Sequence, residues 1–408
     1  MDTATMTAGA WRVLTGMTVA TLLASAGQIT LATLSGIVGA QLAPAADVAT
    51  LPLAAVVVGV ALSTLPTAML IDRWGRRAVF IGGLVWASGG ALLSAYAIVS
   101  DSFALFCAGS FMLGGNMAVV AQYRFAVADH VPVAFVSRAL GALMLGTLGA
   151  AVVTPWLTLQ YRNLLAVDFT GSFIILPVVF APAAVIFMLL PLTTRRAAAA
   201  PAAVAAAVAA TAGNALADLL RRREVQLAII AATAGFGVMT LLMTATPVSM
   251  HIMDGHSVTA TADVIQWHVI AMYAPSLFSG WLIARLGIRR MLWVGLALEG
   301  MAIAVALSGQ EVLQYRVALV LLGLGWNLLF LGGTTLLTTA VPDAAAARVR
   351  AANESIMFGI TALCSLAAGL LLAQLGWQGL NTAAVALLAV LALSLVRARR
   401  LNLTAAAA

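Results

Sequence analysis

Three ionisable side chains lie within or beside long apolar segments of the chain, where they could carry protons. Glu299 is the only acid deep inside such a segment, and Asp263 and His268 stand near the start of another. An ionisable group inside a bilayer is a functional candidate by default, and histidine titrates near physiological pH. All three are therefore candidates for proton coupling. Two alternatives stay open: Glu299 as a buried structural partner, and His268 as a plain interfacial residue beside Trp267.

The sequence contains no pattern that is typical of another chemistry. It has no Walker loop, no glycine-rich nucleotide fingerprint, no metal-ligand cluster and no pairing of a nucleophile with a base. The two cysteines, Cys107 and Cys364, each stand in an apolar run, which is typical of buried thiols. We therefore expect no enzyme activity, no cofactor and no metal site.

The composition is that of an integral membrane protein. Of 408 residues, 63% are hydrophobic and 9% are charged, and the mean hydropathy is +1.05. Soluble domains are about half apolar and about a quarter charged, so this much apolar surface requires a lipid bilayer as solvent. In a soluble protein the net charge of +7 would suggest nucleic acid, but the placement of the charges explains it here and no nucleic-acid partner is expected.

Long apolar segments predict an all-α protein that crosses the membrane twelve times. A spanning helix needs about 20 mostly apolar residues. Twelve segments qualify, numbered here as spans 1 to 12: 11–38, 50–71, 78–99, 103–126, 138–158, 167–190, 226–250, 262–284, 291–308, 314–340, 353–375 and 378–396.

The arginines predict the orientation of these spans. All 21 basic residues are arginines, and cytoplasmic loops collect positive charge. With the N-terminus inside, every arginine except Arg162 and Arg316 falls on the cytoplasmic side. One span more or fewer would scramble this alternation. We therefore expect both termini in the cytoplasm and the protein in a bacterial inner membrane.

An alanine-rich segment, residues 197–220, divides the chain into two halves. It could be counted as a span, but it contains Pro201, Asn214 and Asp218 and is flanked by basic pairs, so we interpret it as part of a cytoplasmic linker. The predicted organisation is a six-helix bundle over 1–190, a linker over 191–225, a second six-helix bundle over 226–400 and a cytoplasmic tail over 401–408.

The two halves contain an internal repeat. The tetrapeptide LGGN at 113–116 matches LGWN at 324–327, Val131-Pro132 matches Val341-Pro342, and DRWG at 72–75 matches ARLG at 284–287. The three pairs are separated by nearly the same distance along the chain and fall in corresponding spans and loops. This pattern indicates two duplicated six-helix units, which is a known architecture of transporters.

Charge is concentrated in the loop between spans 2 and 3, within LIDRWGRRAVF at 70–80. Gly75 permits a tight turn there, and the arginines anchor the loop on the cytoplasmic side. The stretch resembles the signature of the major facilitator superfamily (MFS) in this loop, and the twelve-span arrangement extends the resemblance over the whole chain. A degenerate copy follows span 8, with Ala284 in place of Asp72, and keeps Gly280, Arg285, Gly287, Arg289 and Arg290.

The resemblance implies a cytoplasmic latch between the two halves. Asp72, with Arg73, would meet the positive N-terminal end of span 11, where a carboxylate is favourable by about 0.3–1 kcal/mol. Asp129 is the expected carboxylate partner of Arg76 or Arg77. Glu354, in the first turn of span 11, could repel Asp72. The alternative is that these charges only set the topology.

The resemblance also implies a central cavity lined by spans 1, 4, 7 and 10. Repeat-related Asn116 and Asn327 stand near the middle of spans 4 and 10, and a bare amide in hydrocarbon is costly, so both should face the interior. The alternative is polar packing between helices beside glycines. The full set of candidate cavity residues is Gln28, Asn116, Asn327, Trp326, Phe236, Met239 and Met243, of which the last four would supply apolar surface or else plain packing.

The sequence thus predicts an MFS-type secondary active transporter that works by alternating access. We expect a monomer in a lipid bilayer that moves a small organic molecule with a proton gradient as the driving force, and what is common in the family slightly favours export. One alternative is a proton-coupled uptake symporter for a nutrient or a metal-chelating metabolite. Another is a membrane sensor on a transporter scaffold that moves nothing.

Overall fold

A computed structural model describes residues 6–132, 135–192, 218–341 and 343–398. Within these ranges the secondary structure is helical, with no β-strand. Most of the predicted linker and all of the predicted tail lie outside the described residues, as do Arg195, Arg196, Arg399 and Arg400. The chain divides into two compact units, Met1–Ala199 and Ala200–Ala408, and each is described by itself.

The first unit contains spans 1 to 6. Span 1 is interrupted at Ser25, and Gly75 separates span 2 from span 3 within one continuous helical stretch. A short 3₁₀ turn, Ala46–Val48, precedes span 2. The helices are Ala8–Ala24 and Ala26–Leu42 (span 1), Leu51–Val99 (spans 2 and 3), Phe103–Val120 and Tyr123–Ala128 (span 4), Val136–Gln160 (span 5) and Thr170–Leu189 (span 6).

The second unit contains spans 7 to 12. Span 7 ends in a π-helix after Pro247, and span 8 passes through a 3₁₀ segment. Ser257 accepts a hydrogen bond from the backbone N–H of Ala260, and this cap begins span 8 four residues before its predicted start. The helices are Arg223–Pro247 and Val248–Met253 (span 7), Val258–Tyr273 and Ala274–Phe278 (span 8), Ser279–Ser308 (the end of span 8, and span 9), Val312–Ala340 (span 10) and Asp343–Arg397 (spans 11 and 12).

Three glycines with positive φ separate spans that otherwise run on as single helices. The angle is 83° at Gly75, 70° at Gly287 and 65° at Gly376, a backbone conformation that side chains with a Cβ rarely adopt. Nine described helical stretches are long and apolar enough to cross a membrane. Two of them, Ala46–Val99 and Ala352–Arg397, each hold two predicted spans, and span 8 is divided among shorter segments. The predicted all-α architecture of twelve spans is confirmed.

Helix packing follows the same order in both units. Span 4 packs against the stretch that holds spans 2 and 3, and span 10 likewise packs against spans 8 and 9. Span 1 contacts span 5, and span 7 contacts the stretch that holds spans 11 and 12. Large apolar side chains such as Trp86, Trp156 and Val178 remain exposed, as expected for a surface that faces lipid.

Candidate functional site

The charged loop after span 2 forms a bonded cluster within the first unit. Arg76, which is only 8% exposed, pairs through Nη2 with Asp129 Oδ2 at 2.6 Å, the first of the two partners that the sequence suggested for Asp129. Arg77 Nη2 donates to the carbonyl oxygen of Leu190 at 2.8 Å. The last carbonyls of a helix have no partner inside it, and cations stabilise that end. The motif thus fastens the loop to span 4 and to the end of span 6.

His130 adds a contact that sequence reasoning missed. Its Nδ1 lies 2.7 Å from the carbonyl oxygen of Ala126, and its Nε2 lies 3.2 Å from that of Pro191. A histidine directly after Asp129 was the only signal in the sequence. Asp72 and Arg73 are exposed, and the predicted latch between Asp72 and span 11 stays a prediction.

The second copy of the motif keeps the turn but carries a different set of contacts. Gly287 has a φ of 70°, as Gly75 has one of 83°. Arg285 lies over the ring of Trp281, with its guanidinium carbon 5.3 Å from the centroid, while Arg290 is exposed and Gly280 lies in the helix Ser279–Ser308. Aligned on the Val-Pro pairs, Thr339 stands where the first half has Asp129, so this copy lacks the carboxylate that pairs with Arg76.

Replacing Asp129 by asparagine is expected to lower the free energy of unfolding by about 1 kcal/mol, because the buried guanidinium of Arg76 keeps only a neutral acceptor and loses its charged partner. The thermal unfolding midpoint of the purified protein in detergent measures this. Asp218→Asn is the matched control, since the carboxylate of Asp218 is 69% exposed and lies 3.8 Å from Arg221, a type of pair worth little. Equal midpoints for the two variants would contradict the prediction.

The two repeat-related asparagines each donate a hydrogen bond to the backbone of a neighbouring helix. Asn116 Nδ2 donates to the carbonyl oxygen of Ala24 at 3.4 Å, beside the break in span 1. Asn327 Nδ2 donates to Met272 O and to Ser276 Oγ, both at 2.6 Å, where span 8 becomes a 3₁₀ helix. Their Oδ1 atoms have no partner among the described residues. Both amides therefore bind the backbone at an irregular point of a neighbouring helix, and their predicted place in a cavity stays a prediction.

Three of the four remaining cavity candidates, which lie in spans 1 and 7, are partly accessible. Gln28 lies one turn beyond Ala24 and is half-buried, as are Phe236 and Met243, whereas Met239 is buried. Their role in substrate binding stays a prediction.

Five aromatic rings of the second unit form a continuous group, called here the aromatic cluster: Phe236, Tyr273, Trp326, Phe330 and Phe358. The centroids of Phe236 and Trp326 are 5.0 Å apart, and the rings of Trp326 and Phe330 are stacked with centroids 5.5 Å apart and planes 5° apart. Phe358 lies 6.1 Å from Phe236, and Tyr273 lies 6.2 Å from Trp326. Spans 7, 8, 10 and 11 thus each contribute to one aromatic surface.

Trp326 is the central member of the aromatic cluster, and its polar atom has no partner. Its side chain is buried, and its indole Nε1 is without a hydrogen-bond acceptor in the part of the chain that the structure describes. A buried donor usually finds a partner. Phe330 could have been found from the sequence, because it follows Trp326 by four residues on one helix face, whereas Phe358 and Tyr273 come together with them only through tertiary packing.

Glu299 is fully buried in span 9, and neither carboxyl oxygen has a partner among the described residues. His268 is also fully buried, and its Nδ1 donates to the carbonyl oxygen of Leu319 at 2.7 Å; its role in proton coupling stays a prediction. Asp263 forms an ion pair with Arg316. The pairing gives a structural reason for Arg316, one of the two arginines that departed from the charge pattern.

A polar network that the sequence did not predict joins the end of span 7 to the start of span 10. Tyr315 donates through its hydroxyl to Asp254 Oδ2 at 2.7 Å, and Gln310 Nε2 donates to Asp254 Oδ1 at 3.0 Å. The Tyr315 hydroxyl also lies 2.6 Å from Ser249 Oγ. These bonds hold the π-helical end of span 7, for which Pro247 was the only signal.

Comparison with known proteins supports the architecture and the class. A model of the Major Facilitator Superfamily matches residues 17–262. The riboflavin transporter RfnT of Brucella anthropi is 35% identical over 90% of this chain and 90% of its own length. The uncharacterized MFS-type transporter YdeG of Bacillus subtilis is 28% identical over 88% of this chain and 84% of its own length.

A comparison with solved structures supports the fold alone. A crystal structure of a variant of the nucleoside transporter NupG matches with a TM-score of 0.74 at 12% identity, over 94% of this chain and 99% of that one. The family match, the relative at 35% identity and the twelve apolar spans agree with one another. The chain therefore belongs to the Major Facilitator Superfamily and is an integral membrane transporter of a small organic molecule.

Proposed function

We propose that this protein transports riboflavin, or a flavin with the same ring system. The observation that carries the proposal is the aromatic cluster, which brings five rings from spans 7, 8, 10 and 11 together within the second unit. The isoalloxazine ring of riboflavin is planar, tricyclic and aromatic, and such rings stack on aromatic side chains with about 1–3 kcal/mol each. The relative RfnT, a riboflavin transporter, supports the same substrate class.

The indole N–H of Trp326 in the aromatic cluster also suits a flavin. The ring system of riboflavin carries two carbonyl oxygens and several nitrogens that accept hydrogen bonds. Trp326 Nε1 is a donor without a partner in the described part of the chain, and it could donate to one of these acceptors. Binding sites for small molecules are typically lined by apolar and aromatic side chains, with a few polar groups that orient the ligand.

Uptake driven by a proton gradient is the direction that we propose. Riboflavin is a nutrient and the precursor of flavin cofactors, which favours the uptake alternative over the export that the sequence slightly favoured. Proton coupling is supported by two buried ionisable side chains in the second unit, Glu299 and His268. We propose a monomer in a bacterial cytoplasmic membrane, and the arginine distribution supports an orientation with both termini inside.

Transport by the purified protein in sealed liposomes tests the proposal. Riboflavin flux is measured by its fluorescence after the liposomes are separated from the medium, with protein-free liposomes as control. Lumichrome, which is the isolated ring system, is expected to compete with riboflavin, whereas ribitol, which resembles the isolated side chain, is not. Competition by ribitol instead of lumichrome would contradict recognition by the aromatic cluster.

Whole cells decide the direction of transport. Expression in a bacterial riboflavin auxotroph that lacks its own transporter is expected to restore growth at low external riboflavin. Loss of growth together with flavin appearing in the medium would show export. Riboflavin binding without any flux in liposomes would instead favour the sensor, and the absence of both binding and flux would exclude flavins as the substrate.

A further inference from the structure

Among the residues that the structure describes, the carboxyl group of Glu299 has no partner that could stabilise a charge. The side chain is fully buried, and both oxygens are unpartnered within the described ranges. An unpaired carboxylate in an apolar interior costs far more than a neutral carboxylic acid. Glu299 therefore holds a proton in the conformation that the structure describes.

Glu299 packs against two glycines, one from span 7 and one from span 10. A Cβ atom at Gly325 would lie 2.7 Å from Glu299 Cγ, and a Cβ atom at Gly235 would lie 3.6 Å from Glu299 Oε1. Gly325 directly precedes Trp326, and Gly235 directly precedes Phe236. Glu299 thus contacts the positions directly before Phe236 and Trp326, whose ring centroids are 5.0 Å apart in the aromatic cluster.

No charged side chain among the described residues is bonded to Glu299. Span 9 packs against span 10, span 7 and the stretch that holds spans 11 and 12, and the charged groups of these helices stand towards their ends. His268 of span 8 donates to the carbonyl oxygen of Leu319 instead. Cys364 of span 11 packs beside span 7, where a Cβ atom at Gly237 would lie 3.4 Å from Cys364 Sγ. The groups towards the helix ends are Arg289 and Arg290 on span 9, Arg223, Glu224 and His251 on span 7, Tyr315 and Arg316 on span 10, and Arg350, Glu354 and Arg397 on spans 11 and 12.

We propose that Glu299 is the proton-binding site of this transporter and that its protonation is coupled to the aromatic cluster through Gly235 and Gly325. The choice of riboflavin as the coupled ligand rests on the proposed function, whereas the proton site does not.

The coupling follows from the packing. To release its proton, the carboxyl group needs water or a cation, so span 7 or span 10 must move away from it. That movement carries Gly235 or Gly325 and the ring that follows it, and the aromatic cluster opens. A ligand that stacks on the assembled cluster therefore favours protonated Glu299, and by reciprocity the proton favours the ligand. Proton and ligand then bind together, as uptake by symport requires.

Infrared difference spectroscopy of the protein in lipid tests the proton site without any ligand. A step to high pH is expected to remove a carbonyl stretching band of a protonated carboxylic acid in the wild type. The band is expected to be missing in Glu299→Gln and unchanged in Glu311→Gln, the control at an exposed acid of the same type. A wild-type spectrum without the band, or a band that survives in Glu299→Gln, would overturn the proposal.

Riboflavin binding and flux test the coupling. In the wild type, affinity is expected to fall as pH rises, approaching about tenfold per pH unit for one coupled proton. Glu299→Gln is expected to bind at all pH values and to exchange riboflavin across the liposome membrane, but to lose accumulation driven by a pH gradient. Full gradient-driven accumulation in Glu299→Gln would overturn the coupling.

Two further results keep the interpretation unambiguous. Riboflavin exchange by Glu299→Gln reports that this variant is folded. If Glu299→Gln does not fold, Glu299→Asp replaces it, because aspartate keeps a carboxyl group. Glu299→Asp is expected to show the infrared band at a shifted position, and an unshifted band would overturn the assignment of the proton site. If the wild type shows the band but binds no riboflavin, the proposed substrate is wrong while the proton site stands.

Discussion

Replacing Trp326 by alanine is expected to weaken riboflavin binding by roughly 5- to 150-fold, the equivalent of about 1–3 kcal/mol of lost stacking. Trp326 contacts Phe236, Phe330 and Tyr273, so its removal also leaves the other rings without their central support. Trp326→Phe keeps the aromatic face and removes only the indole N–H, so a loss of about 1 kcal/mol is expected for one hydrogen bond. Quenching of riboflavin fluorescence during titration of the purified protein measures each affinity.

Trp267→Ala is the matched control for this prediction. Trp267 stands on span 8 next to His268, but its side chain is 47% exposed and it is not part of the aromatic cluster. The control removes the same side-chain volume from the same unit and is expected to leave riboflavin affinity unchanged. Equal losses for Trp267→Ala and Trp326→Ala would show that the effect comes from general destabilisation.

The fold could be predicted from the sequence because its two main signals are independent of tertiary contacts. The length of an apolar run reports the thickness of the bilayer, and arginine placement reports the side of the membrane. Helix ends were less accurate, since span 8 begins at the Ser257 cap rather than at its first strongly apolar residue. Gly75 was expected in a tight turn, and Gly287 is its counterpart in the second copy of the motif; both have positive φ.

The hydrogen bonds of the site were harder to predict, because many of the acceptors are backbone carbonyl oxygens, which every residue has. Arg77 binds the backbone carbonyl of Leu190, and Asn116 and Asn327 bind carbonyls at helix irregularities. No side-chain pattern marks such an acceptor. The sequence singled out Glu299, Phe236 and Trp326 separately, but only tertiary packing shows that the glycines before the two aromatic residues lie against the acid.

The duplicated halves have diverged in what they carry. The first has the charged cluster of Arg76, Arg77 and Asp129, whose copy in the second has lost its carboxylates. The second has the aromatic cluster and the buried Glu299. Helix order is shared, because it depends on apolar length and small residues, while the few polar and aromatic positions are free to specialise. The charged cluster that binds helix ends thus lies in the first half, and the residues suited to a ligand and a proton lie in the second.

Introducing valine at Gly325 is expected to lower the free energy of unfolding by about 3 kcal/mol, because spans 9 and 10 touch at this position. A Cβ atom there would lie 2.7 Å from Glu299 Cγ and 3.0 Å from both the backbone nitrogen of Glu299 and the carbonyl oxygen of Gly295. Two of these three atoms belong to the backbone, so relief requires the helices to separate. The thermal unfolding midpoint in detergent is expected to fall, and gradient-driven riboflavin accumulation to fall with it.

Gly300→Val shows whether the effect is specific to this contact. Gly300 follows Glu299 on the same helix, and a Cβ atom there would meet nothing within 4 Å. Valine is a better helix former than glycine, so the control is expected to unfold at or slightly above the wild-type midpoint. Opposite signs for two glycine-to-valine changes in the same helix pair would assign the loss to the packing of Glu299 between spans 9 and 10. Equal destabilisation by both would instead mean that valine costs as much at an open position as at the contact, which would contradict the argument from the close approach at Gly325.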